Sequence, residues 1–439
     1  VRAERIRVKG AADVHIEVRE SCWGPVLRQP LLDQPIALHW TALDPQAVEF
    51  GLLHMDDVQN LDEAIDVMQR YAGPPMNVML ADADGRIAWT TCGKIPSRHG
   101  FDGALSHSWA GGDIGWRGYL PPAELPLVVD PPAGYLATAN NRTTGKDYPH
   151  VLGHNYPSSY RAYRIGEQVQ AMRQIEERDM LALQLDTTSA FFERYRSLVL
   201  ELLTDAVLAE RPALREARDE IAAWDGAMNV DSRGIALLAE LRGALIAEVF
   251  KPYLRPCQQA APSFIYYWFN PDTPLLQLLN AQIPATLPEP ERYADWNVFL
   301  LDQLEQSSRR LLARHHVSSL TELTWGRVNT VTVAHPLGQA VPLLGKLLNM
   351  PRTALSGGEF CVLVAGVLGG TLYGPTMRMI VAPSRETSAI LHMPGGQSGN
   401  PLSSNYRDQQ HAWAAGLPLP FAPGPATRSI RLIQQRSGS

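Results

Sequence analysis

The chain has 439 residues, 45% of them hydrophobic, and a formal net charge of −6. Such a length suits two or three domains, or one large layered domain with a sizeable core. The sequence contains no long basic block and no apolar run near the roughly 18 residues that span a bilayer, so we expect neither nucleic acid nor a membrane as a partner.

The first third of the chain shows mainly the period of β-strands. Apolar and polar residues alternate between residues 4 and 19, interrupted by GAAD, which predicts a hairpin. Residues 60 to 72 have the helical period instead. The apolar face of that predicted helix consists of Leu61, Ala64, Ile65 and Met68.

Two further strands are predicted on either side of Asp84-Gly85, because this dipeptide between β-rich runs is a strong hairpin signal. Residues 93 to 133 are rich in Gly, Pro, Trp and His. They predict a long irregular excursion, and long loops of this kind in compact proteins are often functional.

The helical period dominates from about residue 158 to 250 and returns at residues 292 to 317. After residue 320 three runs predict strands, namely TWGRVNTVTVAHPLG, FCVLVAG and MRMIVAP, and a glycine turn then leads into a short helix. The predicted fold class is therefore α+β. Residues 1–157 and 320–439 would supply one sheet core, and the mainly helical section 158–319 would be looped out between them.

Four cysteines lie far apart in the sequence and form no CxxC motif: Cys22, Cys92, Cys257 and Cys361. Their mostly apolar or mixed surroundings predict small buried side chains rather than a disulfide framework.

Several motifs that might carry chemistry do not meet their own requirements. Ser398 in GGQSGN lacks the second glycine of a nucleophile elbow, since position 400 is Asn, so a glycine turn is predicted. ADADG at residues 81 to 85 lacks the later carboxylate of a calcium loop and predicts a hairpin turn. His315-His316 has no partner one helical turn away for zinc, and His335 predicts a structural hydrogen bond at a strand end.

Asn140 and Asn141 follow an apolar GYLATA run. An asparagine pair can build a turn, because its side chain bonds the backbone and tolerates positive φ. It can also direct an N–H donor at a reacting oxygen. Local sequence leaves both alternatives open, and turn formation is the commoner use.

Nine stretches, in order along nearly the whole chain, resemble the penicillin acylase family of N-terminal-nucleophile hydrolases. They are MNVMLADADGRIAWTTCGKIPSR, WRGYLPPAELP, GYLATANNRTTGKDYP, SSYRAYRIGEQV, DMLALQLDTTS, WDGAMNVDS, TWGRVNTVTVAHPLG, GPTMRMIV, and MPGGQSGNP with NYRDQ.

The resemblance implies a four-layered αββα core and hydrolysis of an acyl-amide bond. In this family a precursor cuts itself into two subunits, and the first residue of the large subunit, usually serine, becomes the nucleophile. Its own α-amino group, with a pKa of about 7.7–8.0, acts as the base. A backbone N–H and an asparagine side chain hold the oxyanion, and the chemistry needs no cofactor.

By resemblance, Asn140 corresponds to the oxyanion asparagine and Arg161 to the arginine that orders the active site. Val26, just after Gly24-Pro25, is a candidate contributor to the acyl pocket. The acyl group stays open between penicillins, glutaryl-cephalosporins and long-chain acyl-homoserine lactones. By family resemblance alone, the protein is expected in the periplasm or outside the cell.

Several positions depart from the family pattern. Val1 has no hydroxyl and resembles a position inside the large subunit, so the nucleophile and the small (alpha) subunit would lie on an upstream or separate segment. Asn155 stands where the family has a calcium-binding aspartate, which puts a structural calcium ion in doubt. Trp23 and Asn405 replace histidines. A non-catalytic binding or scaffold relative of the same fold is the alternative hypothesis.

Overall fold

The computed structural model describes residues 1–30, 33–368 and 371–433. The chain divides into two compact units. Unit 1 comprises Val1–Ala162 and Leu245–Trp296, and unit 2 comprises Tyr163–Ala244 and the described residues from Asn297 onward. No helix in the described ranges has both the length and the apolar character needed to cross a membrane.

The described strands are short. They are β1 (Arg2–Ile6), β2 (Val14–Val18), β3 (Glu20–Ser21), β4 (Gly24–Pro25), β5 (Met76–Ala81), β6 (Ile87–Cys92), β7 (Pro96–His99), β8 (Gly115–Tyr119), β9 (Leu127–Val129), β10 (Thr330–Val331), β11 (Thr353–Ala354), β12 (Gly366–Leu368), β13 (Thr371–Tyr373), β14 (Arg378–Ile380) and β15 (Ile390–His392).

The described α-helices are α1 (Leu61–Arg70), α2 (Tyr160–Ala171), α3 (Glu177–Gln184), α4 (Ala190–Leu202), α5 (Asp205–Glu210), α6 (Arg215–Ala222), α7 (Ile235–Ala260), α8 (Asp272–Ala281), α9 (Trp296–His315), α10 (Trp325–Val328), α11 (Pro336–Ala340), α12 (Pro342–Leu348) and α13 (Gln410–Ala415). Helices and small sheets together confirm the α+β class.

In unit 1, α1 packs against the antiparallel sheet β5–β6–β9. Asn60 caps the helix, since its Oδ1 accepts a hydrogen bond from the backbone N–H of Glu63 at 3.0 Å. The four residues predicted for its apolar face are all buried, with Leu61 only 2% exposed. The hairpin predicted at Asp84-Gly85 is confirmed, and Asp82 Oδ1 closes its turn by accepting the amides of Asp84 and Arg86.

The strands β7 and β8 form a second antiparallel pair within the excursion predicted for residues 93 to 133. Arg98 lies directly opposite Trp116 in this register. Residues directly opposite in an antiparallel pair project to the same face of the sheet. A loop of 15 residues between the two strands thus does not prevent a regular pairing from placing these two side chains together.

The β1–β2 hairpin is present as predicted, but its apolar face is open. Ile6 pairs with Val14, and Ile6 is 49% exposed. The whole described part of the first 60 residues contains no buried residue. An alternating strand pattern normally indicates one buried face, so this face is uncovered in unit 1.

The core of unit 2 combines helices with short strands. Phe191 of α4 stacks on Phe360 with ring centroids 3.6 Å apart, and Trp413 of α13 joins a buried cluster with Val331 and Leu355. The hairpin β14–β15 places Arg378 opposite His392. Both are buried, at 5% and 0% exposed, and no described residue hydrogen-bonds either ring nitrogen of His392.

Some predicted strands are wrong. The run TWGRVNTVTVAHPLG holds two short helices, α10 and α11, around the two-residue strand β10, and FCVLVAG is irregular until Gly366. MRMIVAP does contain β14, and α13 follows the glycine turn as predicted. The prediction for the cysteines holds for Cys92 and Cys361, which are buried, but Cys22 and Cys257 are exposed, and all four are free thiols.

Candidate active site

Unit 1 contains a cavity of about 590 Å³, a size typical of small-molecule sites. Its walls come from the start of β5, the end of β6, the β7–β8 pair and three loops around residues 40, 141 and 154. Asn140, the predicted oxyanion residue, lines this cavity, and so do both residues of the Arg98–Trp116 pair.

Asn140 has a backbone φ of +65°, which is the left-handed region that asparagine tolerates better than most residues. The side-chain Oδ1 accepts a hydrogen bond from Nη2 of Arg161 at 2.9 Å. Because a guanidinium can only donate, this contact fixes which end of the carboxamide faces the arginine. The Nδ2 group has no hydrogen-bond partner among the described residues, so it is the end of this exposed side chain that can donate to a ligand.

Asn141 makes the turn that places its neighbour. Its Oδ1 accepts a hydrogen bond from the backbone N–H of Ala139 at 3.0 Å, and its Nδ2 donates to the carbonyl of Arg142 at 2.9 Å. The two alternatives left open by the sequence are therefore divided between the two residues. Asn141 bonds the backbone through its side chain, whereas Asn140 contributes only its positive φ to the bend and bonds Arg161 through its side chain.

Arg161 is the second residue of α2, at the helix end nearest Asn140 in sequence. Its partly buried guanidinium donates to the carboxamide of Asn140, so the structure brings the two residues predicted by resemblance into direct contact. That contact has the geometry required of a residue that orders another. Their catalytic roles remain predictions.

The cavity is bordered by aromatic rings. His39 lies 4.1 Å from Trp116, measured between ring centroids, and also packs against Trp109. Nδ1 of His39 donates to the carbonyl of Trp23 at 2.5 Å, so the segment carrying the histidine-to-tryptophan departure is tied to the cavity wall. Rings of this kind provide apolar surface for the body of a ligand.

Val26 is half-buried and forms an isolated bridge with Ala37. It does not appear among the residues that line the cavity, although the bridge lies two residues before His39. A contribution of Val26 to an acyl pocket therefore stays a prediction.

The calcium position does not fit a metal ion in this chain. Asn155 donates from Nδ2 to the carbonyl of Tyr267 at 3.1 Å, and its Oδ1 accepts from the backbone N–H of Phe269 at 3.2 Å. Both ends of the carboxamide are thus occupied by protein. Within the ranges that the structure describes, no three His, Cys, Asp or Glu side chains are grouped to hold a metal.

The motifs set aside in the sequence have structural roles. Ser398 Oγ accepts a hydrogen bond from the backbone N–H of Asn400 at 3.1 Å, inside a turn. His335 Nδ1 accepts from the N–H of Leu337 at 3.1 Å and caps α11, as the predicted structural bond requires.

Sequence reasoning missed Lys94, Arg98 and Trp116 as individual cavity residues. The available signal was the composition of residues 93 to 133, which indicated a functional excursion without saying which side chains meet. Strand pairing decides that, and the register of β7 with β8 is not legible in the sequence.

The fold matches that of a solved penicillin acylase. The solved structure of thermostable penicillin G acylase from Alcaligenes faecalis matches with a TM-score of 0.61 over 100% of this chain and 82% of that chain, at 18% identity. The chain belongs to the penicillin amidase family, whose model matches residues 1–428.

Two curated relatives are similar over most of the chain. Penicillin acylase 2 proenzyme of Pseudomonas sp. strain SE83 is 26% identical, covering 96% of this chain and 54% of that protein. Acyl-homoserine lactone acylase QuiP of Pseudomonas aeruginosa is 25% identical, covering 96% and 55%. The chain thus spans about half the length of the curated relatives it matches.

Proposed function

We propose that the protein hydrolyses acyl-amide bonds and that residues 1–439 supply the oxyanion side of the active site. The observation that carries this proposal is the carboxamide of Asn140, which lines the cavity while Arg161 holds its Oδ1. A fixed amide donor in a concave site stabilises charge that develops on a carbonyl oxygen during acyl transfer. Family membership and the names of the relatives agree with this chemistry.

In the proposed mechanism, a nucleophile outside residues 1–439 attacks the amide carbonyl carbon. The carbonyl π electrons move to oxygen, and Nδ2 of Asn140 donates a hydrogen bond to the resulting oxyanion. The C–N bond then breaks, the amine leaves with the proton taken from the nucleophile, and water hydrolyses the acyl-enzyme. No cofactor takes part in these steps.

We further propose that the nucleophile belongs to an upstream segment of the same precursor, which also provides the small (alpha) subunit. The similar Pseudomonas penicillin acylase is named a proenzyme, which supports processing. The uncovered apolar face of the β1–β2 hairpin supports a partner, because exposed apolar surface of this kind marks protein contacts. A periplasmic or secreted location is part of the proposal and is testable by cell fractionation.

The experiment is expression of the complete reading frame, followed by intact mass, N-terminal sequencing and assay of amine release from a panel of acyl amides. We expect two polypeptides, the larger beginning with Ser, Thr or Cys, and turnover of at least one amide. A single unprocessed chain without turnover would refute the proposal and favour the non-catalytic relative.

A further inference from the structure

The charged side chains that line the cavity in unit 1 are cationic. Lys94 and Arg98 line it, and none of its described lining residues is Asp or Glu. Two cations in a concave site add little to the binding of a neutral ligand, whereas both attract an anion electrostatically. The charge of the lining side chains therefore favours an anionic ligand.

Arg98 is held in place by one hydrogen bond, and most of its N–H donors have no partner within the described chain. Its Nη1 donates to the carbonyl of Val151 at 2.9 Å, the one hydrogen bond of its guanidinium within the described chain. A Cβ on Gly103, where φ is +90°, would lie 2.7 Å from Nε of Arg98. Glycine at position 103 thus leaves room for the arginine side chain to extend along this wall.

Burial lowers the pKa of Arg98, because removing water disfavours the cation, and the nearby carboxylate of Asp102 offsets this effect only in part. A guanidinium offers five N–H donors in a fork that matches a carboxylate. A partly desolvated arginine that faces a cavity is therefore a recognition group for an anion, because the ligand would provide the missing partner.

The two nearest acids interact with these cations only through space, without a direct ion pair. Asp44 accepts hydrogen bonds from the hydroxyl of Tyr119 and the amide of Gln46, which together with Lys94 hold its pKa below the usual value. Asp102 accepts the amide of Ala104, and this bond lowers its pKa. Neither acid forms an ion pair with Lys94 or Arg98 in the described structure.

We infer that the cavity binds an acyl amide that carries a carboxylate, with Arg98 and Lys94 as the anion site and the ring of Trp116 beside it. This inference rests on the proposed function and narrows its substrate class. The carboxylate belongs either to the acyl group or to the amine part of the substrate, since both sources present the same chemistry to the two cations.

The test compares an anionic with a neutral substrate in each of two pairs. Glutaryl-p-nitroanilide against pentanoyl-p-nitroanilide places it on the acyl side, and hexanoyl-homoserine against hexanoyl-homoserine lactone places it on the amine side. In the processed protein from the complete reading frame, we expect kcat/KM to favour the anionic member of one pair. In Arg98→Gln that preference should fall about tenfold or more, because a hydrogen-bonded ion pair is lost.

The matched control is Arg117→Gln. Arg117 follows Trp116 on β8, so its side chain projects to the opposite face, and it is exposed without an ion pair among the described residues. In Arg117→Gln, the ratio of kcat/KM for the anionic substrate to that for the neutral one should equal the wild-type ratio in both pairs. Equal kcat/KM within both pairs, with no change in Arg98→Gln, would overturn the anion site while the acylase function stands.

Calorimetric titration with glutarate and with homoserine, the carboxylate-bearing products of the two arms, provides a readout that does not depend on turnover. Binding of one of them to the wild type and to Arg117→Gln, with weakening of about tenfold or more in Arg98→Gln, supports the anion site even if every amide is left intact. Failure of both products to bind overturns it.

Discussion

Replacement of Asn140 by aspartate removes the Nδ2 donor and adds a negative charge, while the shape of the side chain is kept. Aspartate has nearly the same shape and also tolerates the φ of +65°, and its carboxylate still accepts the hydrogen bond from Arg161. Alanine would be a poorer probe, because a Cβ without a polar partner at positive φ adds strain of about 1–2 kcal/mol. The aspartate variant therefore separates the donor role from the role of the residue in folding.

The expected loss of kcat in Asn140→Asp is at least about a hundredfold. Removal of one oxyanion donor costs about 10²–10³ in kcat, and an oxygen in place of Nδ2 also repels the developing charge. The thermal stability should change little, because a partly exposed pair with Arg161 is worth about 0–1 kcal/mol. Amine release under saturating substrate, with circular dichroism on the same samples, measures both quantities.

The control is Asn60→Asp, which makes the same chemical change at the N-cap of α1, outside the cavity. Aspartate is as good a cap as asparagine, so kcat should equal that of the wild type. If Asn140→Asp keeps kcat within about threefold of the wild type, the residue does not hold the oxyanion.

Three further results follow from the structure. Arg161→Ala should lower kcat by about tenfold or more with a smaller change in KM, because Asn140 loses the group that orients it, and Arg161→Lys should restore part of the loss. Burial and the neighbouring Arg378 lower the pKa of His392. The free energy of unfolding should therefore fall as the pH drops below about 6.5, because the unfolded state takes up a proton that the folded state resists. In urea titrations, His392→Leu should make this loss of stability smaller. Removal of calcium with EDTA should leave the thermal midpoint unchanged, because Asn155 already bonds protein through both ends of its carboxamide.

Each of these results has an outcome that contradicts it. An Arg161→Ala enzyme with a raised KM and a normal kcat would mean that the arginine binds substrate instead of ordering Asn140. His411→Leu, at an exposed histidine, is the control for the pH series. If the dependence of stability on pH is unchanged in His392→Leu, the buried histidine is not its cause. A lower midpoint in EDTA that calcium restores would show a metal site elsewhere in the protein.

The parts of the fold that could be predicted are those in which local pattern and tertiary environment agree. The helix α1 has its apolar stripe, its cap and its buried face in the same register, so periodicity alone located it. The run from residue 324 to 338 failed because short apolar segments suit a helix turn or a strand equally. Contacts made by Trp325, whose Nε1 donates to the carbonyl of Gly357, decided the outcome there.

The same distinction holds for the candidate site. Asn140 and Arg161 were identified because each stands in a stretch that resembles the family, and their separation of 21 residues said nothing about contact. The loops around residues 40 and 154 and the strand β7 reach the cavity only through tertiary folding. A pattern read along one strand does not reveal which residue will stand across from it, so Arg98 and Trp116 could not be paired in advance.

The positive charge near the cavity is divided between two tasks. Arg161 is committed to the carboxamide of Asn140, whereas Arg98 bonds only a backbone carbonyl and retains its remaining donors. Asn140→Asp should therefore lower kcat for the neutral substrates as well as for the anionic ones, whereas Arg98→Gln should act mainly on the anionic ones. Because Asn140 and Arg98 share no hydrogen-bond partner among the described residues, the effects of Asn140→Asp and Arg98→Gln on the free energy of the transition state should add in the double variant to within about 0.5 kcal/mol. A larger interaction free energy in the double variant would mean that the same cations bind the substrate carboxylate and stabilise the oxyanion. Separate roles for Arg161 and Arg98 would then be wrong.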